Sequence, residues 1–406
     1  MHVVIIGGGA AGMAAAIAAA KRGHCATVLE RGRKTLKKLG VTGNGRGNLL
    51  NCGEPKYFGD ADFAAKVLQN MPYERVAAFL EECGIPLVHE AEGRMYPSSY
   101  LAASAVDALR WQADELGIKC EVNTRAVKIE KSEKGFVVQA VRTLYAPDIT
   151  LKSGRVKPGE VIGEEPVQYR CGRVIVTVGG AAAPMHGTDG SAYGLLTEWG
   201  HVMTAVHPAL TALTAEKKAV EGLSGQRVRA RLTLCDAGGK PLHTSEGEAL
   251  FAEDGVSGIA AMQLSRFASA GCVLHMDLRA AVCGKPDTDV KAWLERRAQS
   301  RDGRSLLVGA ASPALAAALW RRSGGTLEKL AETIADFSVP VAGVRGFDSA
   351  QVTAGGIRTA DFDPSTMQSR LVPGLYAAGE VLDVDGECGG YNLMFAFASG
   401  LLAGEQ

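Results

Sequence analysis

"HVVIIGGGAAGMAAAIAAAKRGHCATVLERG", residues 2–32, is the stretch whose reading decides the fold. A short apolar run, a glycine turn, an alanine-rich segment, a turn at Gly23 and a second apolar run ending at Glu30 spell β-α-β. Gly7, Gly9 and Gly12 fit G-x-G-x-x-G in its strand-turn-helix setting. One glycine makes the tight turn, one admits a pyrophosphate against the backbone, and one lets helix and strand pack closely. The start of the helix, with Ala10 and Ala11, offers free N–H groups and the positive end of the helix dipole to phosphate. Glu30, followed by Arg31, ends the second strand, where a carboxylate accepts both hydroxyls of an adenosine ribose and repels a 2′-phosphate. The segment predicts a site for an unphosphorylated adenine dinucleotide and leaves NAD and FAD both open.

The other end of the chain narrows that choice. In "VPGLYAAGEVLDVDGECGGYNLMFAFASGLLAGEQ", residues 372–406, a short strand over 375–378 leads into Gly379 and Glu380, and Gly389 and Gly390 open a final apolar helix through Tyr391, Asn392 and Leu393. Two junctions, one at each terminus, imply a ligand long enough to touch both, which favours FAD. Glu380 is placed to bind a ribityl hydroxyl or the pyrophosphate. The N–H groups of 390–393 would face the flavin edge that gathers negative charge on reduction.

Between the junctions, "KKLGVTGNGRGNLLN", residues 37–51, combines four glycines with one arginine. Gly43, Gly45 and Gly47 permit positive φ and close approach of the backbone to a ligand. Arg46 supplies a fork for phosphate or for the electron-rich edge of a flavin, and Asn44 and Asn48 flank it. The stretch reads as a cofactor clamp. Val127, Gly179 and Gly180 complete the set of candidate FAD contacts.

The chain has 406 residues, 47% hydrophobic and 22% charged, the balance of a globular protein of two or three domains. Its 44 basic and 44 acidic residues cancel, so no global field favours nucleic acid or an anionic membrane surface. The nine cysteines form no C-x-x-C and no histidine pair has metal-ligand spacing, so no metal site is expected and the thiols read as inert in a reducing cytoplasm. No apolar run suits a signal peptide or a membrane span, and a cytoplasmic location follows as the expectation.

The expected fold class is α/β, a Rossmann-like FAD-binding domain over 1–205 and 353–406. After the first unit, 64–84 and 102–117 are helical in period. "GFVVQAV" and "RCGRVIVTVGG" frame a β-excursion whose middle, residues 146–168, is a long Pro/Gly-rich hairpin. Short β-like runs predict an inserted β-rich domain over 206–286 and 336–352, with His207 and Glu248 beginning strands. Three periodic segments predict a small helical domain over 287–335. No second G-x-G-x-x-G follows a strand, so NAD(P)H, as electron donor, would dock transiently.

Several strings together resemble one family: "GGGAAG", "TGNGRGNLLN", "GRMYPSS", "GEALFAEDGVSGIAAMQLSR" and "LVPGLYAAGEVLDVDGECGGYNL". They are similar to NAD(P)/FAD-dependent flavoproteins of the aminoacetone oxidase and bile-acid-inducible reductase-like group, built on the two-dinucleotide-binding plan. Where family members carry a cysteine after the loop arginine, this chain has Gly47. Where their last helix reads YNLQWAWSSG, this chain has "YNLMFAFASG". The resemblance implies an FAD-dependent oxidoreductase acting on a small hydrophobic substrate, with NAD(P)H-driven reduction of an activated C=C in a steroid-like enone as the leading expectation.

A flavin carries the hydride chemistry and leaves positioning and proton delivery to the protein. Tyr391, beside the glycine pair, is the candidate catalytic residue, since its phenol can protonate an enolate or simply pack. Tyr96, Tyr100, Arg46 and His186 are weaker candidates. Two alternatives stay open: a flavin amine oxidase using oxygen, and a non-catalytic flavin protein serving a protein or RNA partner through the basic runs "RVRARL" and "WRRSGG". Alternating arginines on a strand more often form its solvated face.

Overall fold

Gly7 sits where the order of the central sheet reverses. The structure, a computed structural model, describes residues 1–150 and 156–406. Strands β1 (His2–Ile6), β2 (Cys25–Leu29), β3 (Lys119–Glu121), β4 (Arg173–Val176) and β5 (Leu375–Ala377) form a parallel sheet ordered β3-β2-β1-β4-β5. The chain leaves β1 towards β2 and returns on the other side at β4, with Val3 opposite Arg173 and His2 opposite Cys25. In sheets of this order ligands bind at the carboxyl ends of the strands beside that switch.

Helix α1 (Ala10–Lys21) is buried on every side from Ala11 to Ala19. It therefore has no polar face, and small side chains let neighbours come close. The last helix, α2 (Tyr391–Gly404), packs along it. A Cβ on Gly400 would lie 2.3 Å from the Ala11 carbonyl oxygen, and one on Gly404 would lie 2.2 Å from that of Ala15.

The excursion before β4 is an antiparallel sheet of Thr124–Ser132, Gly135–Tyr145 and Val161–Cys171. Its hairpin continues through Ile149–Thr150 paired with Val156–Lys157, and the predicted tip, 151–155, lies outside the described residues. The periodic stretch over 64–84 is two helices, Ala61–Asn70 and Tyr73–Glu82. Pro72 divides them, because proline lacks an N–H and disfavours helical geometry in the residue before it.

The chain divides into two compact units, Met1–Val206 with Val352–Gln406, and His207–Gln351. The second contains a closed six-stranded barrel ordered Leu213–Ala215, Gly255–Ser257, Pro241–Ala252, Arg227–Cys235, Val273–Asp277 and Phe337–Val344. Closure leaves no open sheet edge. Helices Val290–Ala298, Pro313–Arg322 and Leu327–Ala335 start at Asp289, Ser312 and Thr326, whose side chains accept a backbone N–H of the first turn. Leu294, Leu319, Leu330 and Ile334 share one core with Leu232 and Phe337 of the barrel.

One reading needs correction. Glu248 does not begin a strand: it lies within Pro241–Ala252, opposite Arg229, because the alternation runs back through Thr244 to Pro241. The arginines of the "RVRARL" run form the solvated face of their strand, as the alternation indicates. Arg227 pairs with Glu248 and Arg231 with Glu246 from the neighbouring strand, so two of the run's three exposed arginines are paired. Among the described residues no helix is long and apolar enough to cross a membrane. All nine cysteines are free, and Cys25 and Cys52 are exposed.

Candidate functional site

The three glycines of the first turn have three different environments. Gly7 has φ +106°, and a Cβ there would lie 2.4 Å from the Thr177 carbonyl oxygen. A Cβ on Gly12 would lie 1.9 Å from the Gly7 carbonyl oxygen, so strand and helix touch there. Gly9 has nothing within 4 Å of its Cβ position. It caps α1 without a side-chain hydrogen bond, and the first turn holds no acid. The helix thus presents free N–H groups at Ala10 and Ala11 towards open space.

Both oxygens of Glu30 take backbone N–H groups, from Gly8 at 2.9 Å and from Gly32 at 2.6 Å. A carboxylate has about four acceptor positions, so it keeps capacity for a diol. Arg31 forks onto Asp189, with Nη1 at 3.0 Å from each oxygen, and its Nε reaches the Gly187 carbonyl at 2.7 Å. Burial pushes the Asp189 carboxyl up, but hydrogen bonds from Ser191 and Arg31 outweigh it and bring the group down to about 2. Val127 is the extra residue of a β-bulge between Ala126 and Lys128, so no residue of the neighbouring strand opposes it.

Gly179, with φ +74°, and Gly180 follow β4. A Cβ on Gly180 would lie 2.3 Å from Thr353 Oγ1, which accepts the N–H groups of Ala181 and Ala182. Glu380 joins this cluster: Oε1 accepts the Thr353 N–H at 2.8 Å and Oε2 accepts Lys38 Nζ at 2.7 Å. Gly379 donates its N–H to Ser399 Oγ of α2 at 3.0 Å.

The glycine loop folds back onto the start of α2. Gly43, Asn44, Gly45 and Gly47 all have positive φ, between 55° and 83°. A Cβ on Gly43 would lie 2.9 Å from the Asn48 nitrogen, and one on Gly390 would lie 2.9 Å from Asn48 Oδ1 and 2.3 Å from the Leu50 carbonyl oxygen. Asn48 Oδ1 is buried without a hydrogen-bond partner. Arg46 does not point along this cradle. Its guanidinium pairs with Glu90 at 2.8 Å and stacks over Tyr96 and Tyr100 at 4.6 and 4.8 Å. Gly47 has φ +82°, and a Cβ there would lie 3.1 Å from Ala102 Cα, which leaves little room for the cysteine of related chains.

At the start of α2, Gly390 has φ +101° and no side chain caps the helix. Asn392 is committed to the preceding turn, accepting the Gly386 N–H and donating to the Gly386 carbonyl, both at 2.8 Å. The backbone N–H groups of 391–393 remain for a ligand, since the first turn of a helix lacks internal partners. Tyr391 is buried, with its ring edge-on to Tyr57 at 5.9 Å and its carbonyl accepting the Tyr57 hydroxyl at 2.9 Å. Burial pushes its phenol above the usual tyrosine range; Lys56 and Arg94 pull it down, Glu387 and Glu92 up. Met394, Phe395 and Phe397 lie in the core, Phe395 against Tyr57 and Phe397 against Phe79, so they give no information about substrate. His186 ends a short turn near Lys37 and Lys38, its imidazole held below its ordinary range by partial burial and those cations.

Several contributors were not evident beforehand. Asn51 donates to the carbonyls of Gly389 and Glu92, Thr177 binds the Gly7 carbonyl, and Thr353 holds the loop after β4. The sequence did carry a trace of the threonines: "VTVGG" at 176–180 and "VTAGG" at 352–356 are near copies.

These features fit FAD. The structure offers two uncapped helix starts, an open glycine facing one of them, a glycine-cleared cradle at the other, and an orphaned buried acceptor in that cradle. The pyrimidine edge of a flavin carries both carbonyl acceptors and an N–H donor, which match helix N–H groups beside Asn48 Oδ1.

The model of the HI0933-like protein Rossmann domain matches residues 1–406. A 3-dehydro-bile acid Δ(4,6)-reductase of Clostridium scindens is 32% identical over 99% of this chain and 98% of its own length. A ribosomal RNA dihydrouridine synthase of Escherichia coli is 24% identical over 98% of this chain and 95% of its own. Among solved structures, a 3-ketosteroid-Δ4-(5α)-dehydrogenase from Rhodococcus jostii in complex with 4-androstene-3,17-dione covers 99% of this chain and 95% of its own, with TM-score 0.50 and 15% identity, a likeness of fold.

Proposed function

We propose that this chain, which belongs to the HI0933-like Rossmann family and is an FAD-dependent oxidoreductase, uses NAD(P)H to saturate an activated C=C conjugated to a carbonyl in a small hydrophobic, steroid-like ketone. One observation carries the assignment of the site: the loop Gly43–Asn48 and the start of α2 close on each other through Asn48 and Gly390, with the buried phenol of Tyr391 beside them. The C. scindens relative motivates the substrate class.

Bound FAD would supply hydride transfer. Ala10 and Ala11 would hold its pyrophosphate by their N–H groups, Glu30 its adenosine ribose, and Asn48 with 390–393 its pyrimidine edge. Gly9 would let the phosphates reach the backbone, and Lys38 would offset the charge of Glu380. Tyr391, kept protonated by burial, would give its proton to the α-carbon of the reduced substrate.

Purified protein should show the visible flavin band, bleach anaerobically with NADH or NADPH, and recover it on addition of a 3-keto-4-ene steroid. A colourless protein that gains no flavin on reconstitution would sink the site assignment. Recovery only with oxygen, with peroxide released, would favour an amine oxidase. A second reading, reduction of uridine in RNA, draws on the E. coli relative and shares the chemistry of an alkene next to a carbonyl. The balanced charge of the chain and the ion pairs of Arg227 and Arg231 weigh against it. Recovery of the band with uridine-containing RNA and not with enone would decide for it.

A further inference from the structure

The missing side chain of Gly389 leaves a point in space ringed by three polar residues. Its Cβ position lies 3.5 Å from Asn51 Nδ2, 3.5 Å from Tyr391 Cε2 and 3.8 Å from Arg94 Nε. Two of these come from one register: Asn51 stands opposite Arg94 where Leu50–Asn51 pairs with Arg94–Pro97. Asn51 then donates to the carbonyls of Gly389 and Glu92, which fixes that turn against the strand pair. Glu92, in the left-handed region at φ +62°, pairs with the outer side of the Arg94 guanidinium. The Arg94 side chain is 27% exposed and that of Glu92 is 70% exposed, so the arginine looks inward and its partner outward.

We propose that Arg94 is a positioning residue for proton delivery, its guanidinium standing beside Tyr391 to hold the negative charge left on the phenol oxygen when the proton departs. This rests on the reading of the site as one for C=C reduction with NAD(P)H as reductant. A hydride adds with its electron pair to the β-carbon, and the π pair moves onto the α-carbon and carbonyl oxygen. The α-carbon then bonds the proton of Tyr391, whose O–H pair stays behind as phenolate until water restores the proton. In a buried site a phenolate is costly unless a cation is close.

The groups facing Tyr391 are Arg94 and Glu92 from the strand side, Lys56 and Glu387 from the flanking loops, and the phenol of Tyr57. Lys56, 53% exposed and paired with Glu387 at 3.4 Å, also pulls the phenol down, and more strongly than Arg94, so the two cations act on Tyr391 together. Arg94 also bears on Tyr96 and Cys388, which makes it the cation common to the protonatable groups around this turn.

The test uses full-length, FAD-loaded protein and two readouts: the tyrosinate difference spectrum against pH, and the pH profile of reoxidation by a 3-keto-4-ene steroid. Arg94→Met should raise the midpoint assigned to Tyr391 by about one pH unit, move the alkaline limb of the profile with it, and lose both effects in a Tyr391→Phe background. Arg94→Lys should restore most of the shift. Glu92→Gln, which leaves the strand pair intact, should move the midpoint down, because Arg94 is then shared with one acid fewer. An unmoved midpoint in Arg94→Met or in Glu92→Gln, or a shift that persists without Tyr391, would overturn the proposal. If no enone reoxidises the wild-type protein, the reading of the reaction fails, while the tyrosinate titration still decides whether Arg94 and Tyr391 are coupled.

Discussion

Gly400 of the last helix meets Ala11 of the first so closely that a Cβ would come within 2.3 Å of the Ala11 carbonyl oxygen. Four residues on, Gly404 repeats the contact with Ala15 at 2.2 Å. The starts of α1 and α2, which are far apart in sequence, are therefore set by one rigid pair of helices. A cofactor bound across both starts depends on that pair for the distance between its two ends.

Gly400→Ala should force the two helices apart. Overpacking of a close contact costs about 1–3 kcal/mol, so thermal unfolding should begin at a lower temperature. Flavin content after purification should fall with it, because both helix starts shift together. An unchanged melting temperature would show that the pair is more yielding than its geometry implies.

Gly7→Ala and Gly9→Ala separate the fold from the cofactor. At Gly7 the backbone is left-handed and a Cβ would strike Thr177, so both stability and flavin binding should drop. At Gly9 the position is open and φ is −80°, so stability should stay within about 0.5 kcal/mol of the parent. Flavin binding should still weaken, since the methyl group would stand where the pyrophosphate reaches the helix. Equal flavin affinity in Gly9→Ala and the parent, by titration of apoprotein, would move the phosphates elsewhere.

Much of this was legible because local rules and tertiary needs agreed. The β-α-β run, the excursion before β4, the last strand and the helix after Gly390 each follow from period and glycine placement. What was not legible depends on partners distant in sequence. Nothing near Asn51 shows that its amide will hold a carbonyl 338 residues away, and nothing near Arg46 shows that Glu90 and two tyrosines will claim its guanidinium. Met394, Phe395 and Phe397 resemble a ligand-facing stripe in sequence, yet Phe79 and Tyr57 cover two of them. Periodicity reports that a face is apolar but not what lies against it.

Arg46→Ala tests the outward turn of that guanidinium. With Glu90 and the two rings as its partners, loss of the side chain should loosen the glycine loop. Flavin affinity should fall by about tenfold or less, a loss of up to about 1.4 kcal/mol, while direct loss of a phosphate contact would cost more. Glu90→Gln should weaken flavin binding in the same direction if the pair acts by holding the loop. Unchanged affinity in both variants would leave the loop's arginine without a part in cofactor binding.

His201 gives a pH dependence that does not involve the flavin. Its side chain is fully buried, stacked on Phe362 with centroids 4.6 Å apart, with Nε2 at 3.1 Å from Ser369 Oγ and Nδ1 at 3.7 Å from Asp361 Oδ2. Burial outweighs the pull of Asp361 and holds the imidazole below its ordinary range, so the folded protein keeps it neutral. The unfolded chain takes up the proton first, near about pH 6.5. Stability from this group is therefore complete above that pH and is lost as pH falls towards the folded-state value. Thermal unfolding of the wild type followed from pH 8 downward should show this loss beginning near about pH 6.5, and His201→Gln should be less stable at pH 8 but close the gap as the pH drops. A gap that stays constant across the range would mean that His201 titrates alike in both states, and that the stack on Phe362 rather than its charge state sets its contribution.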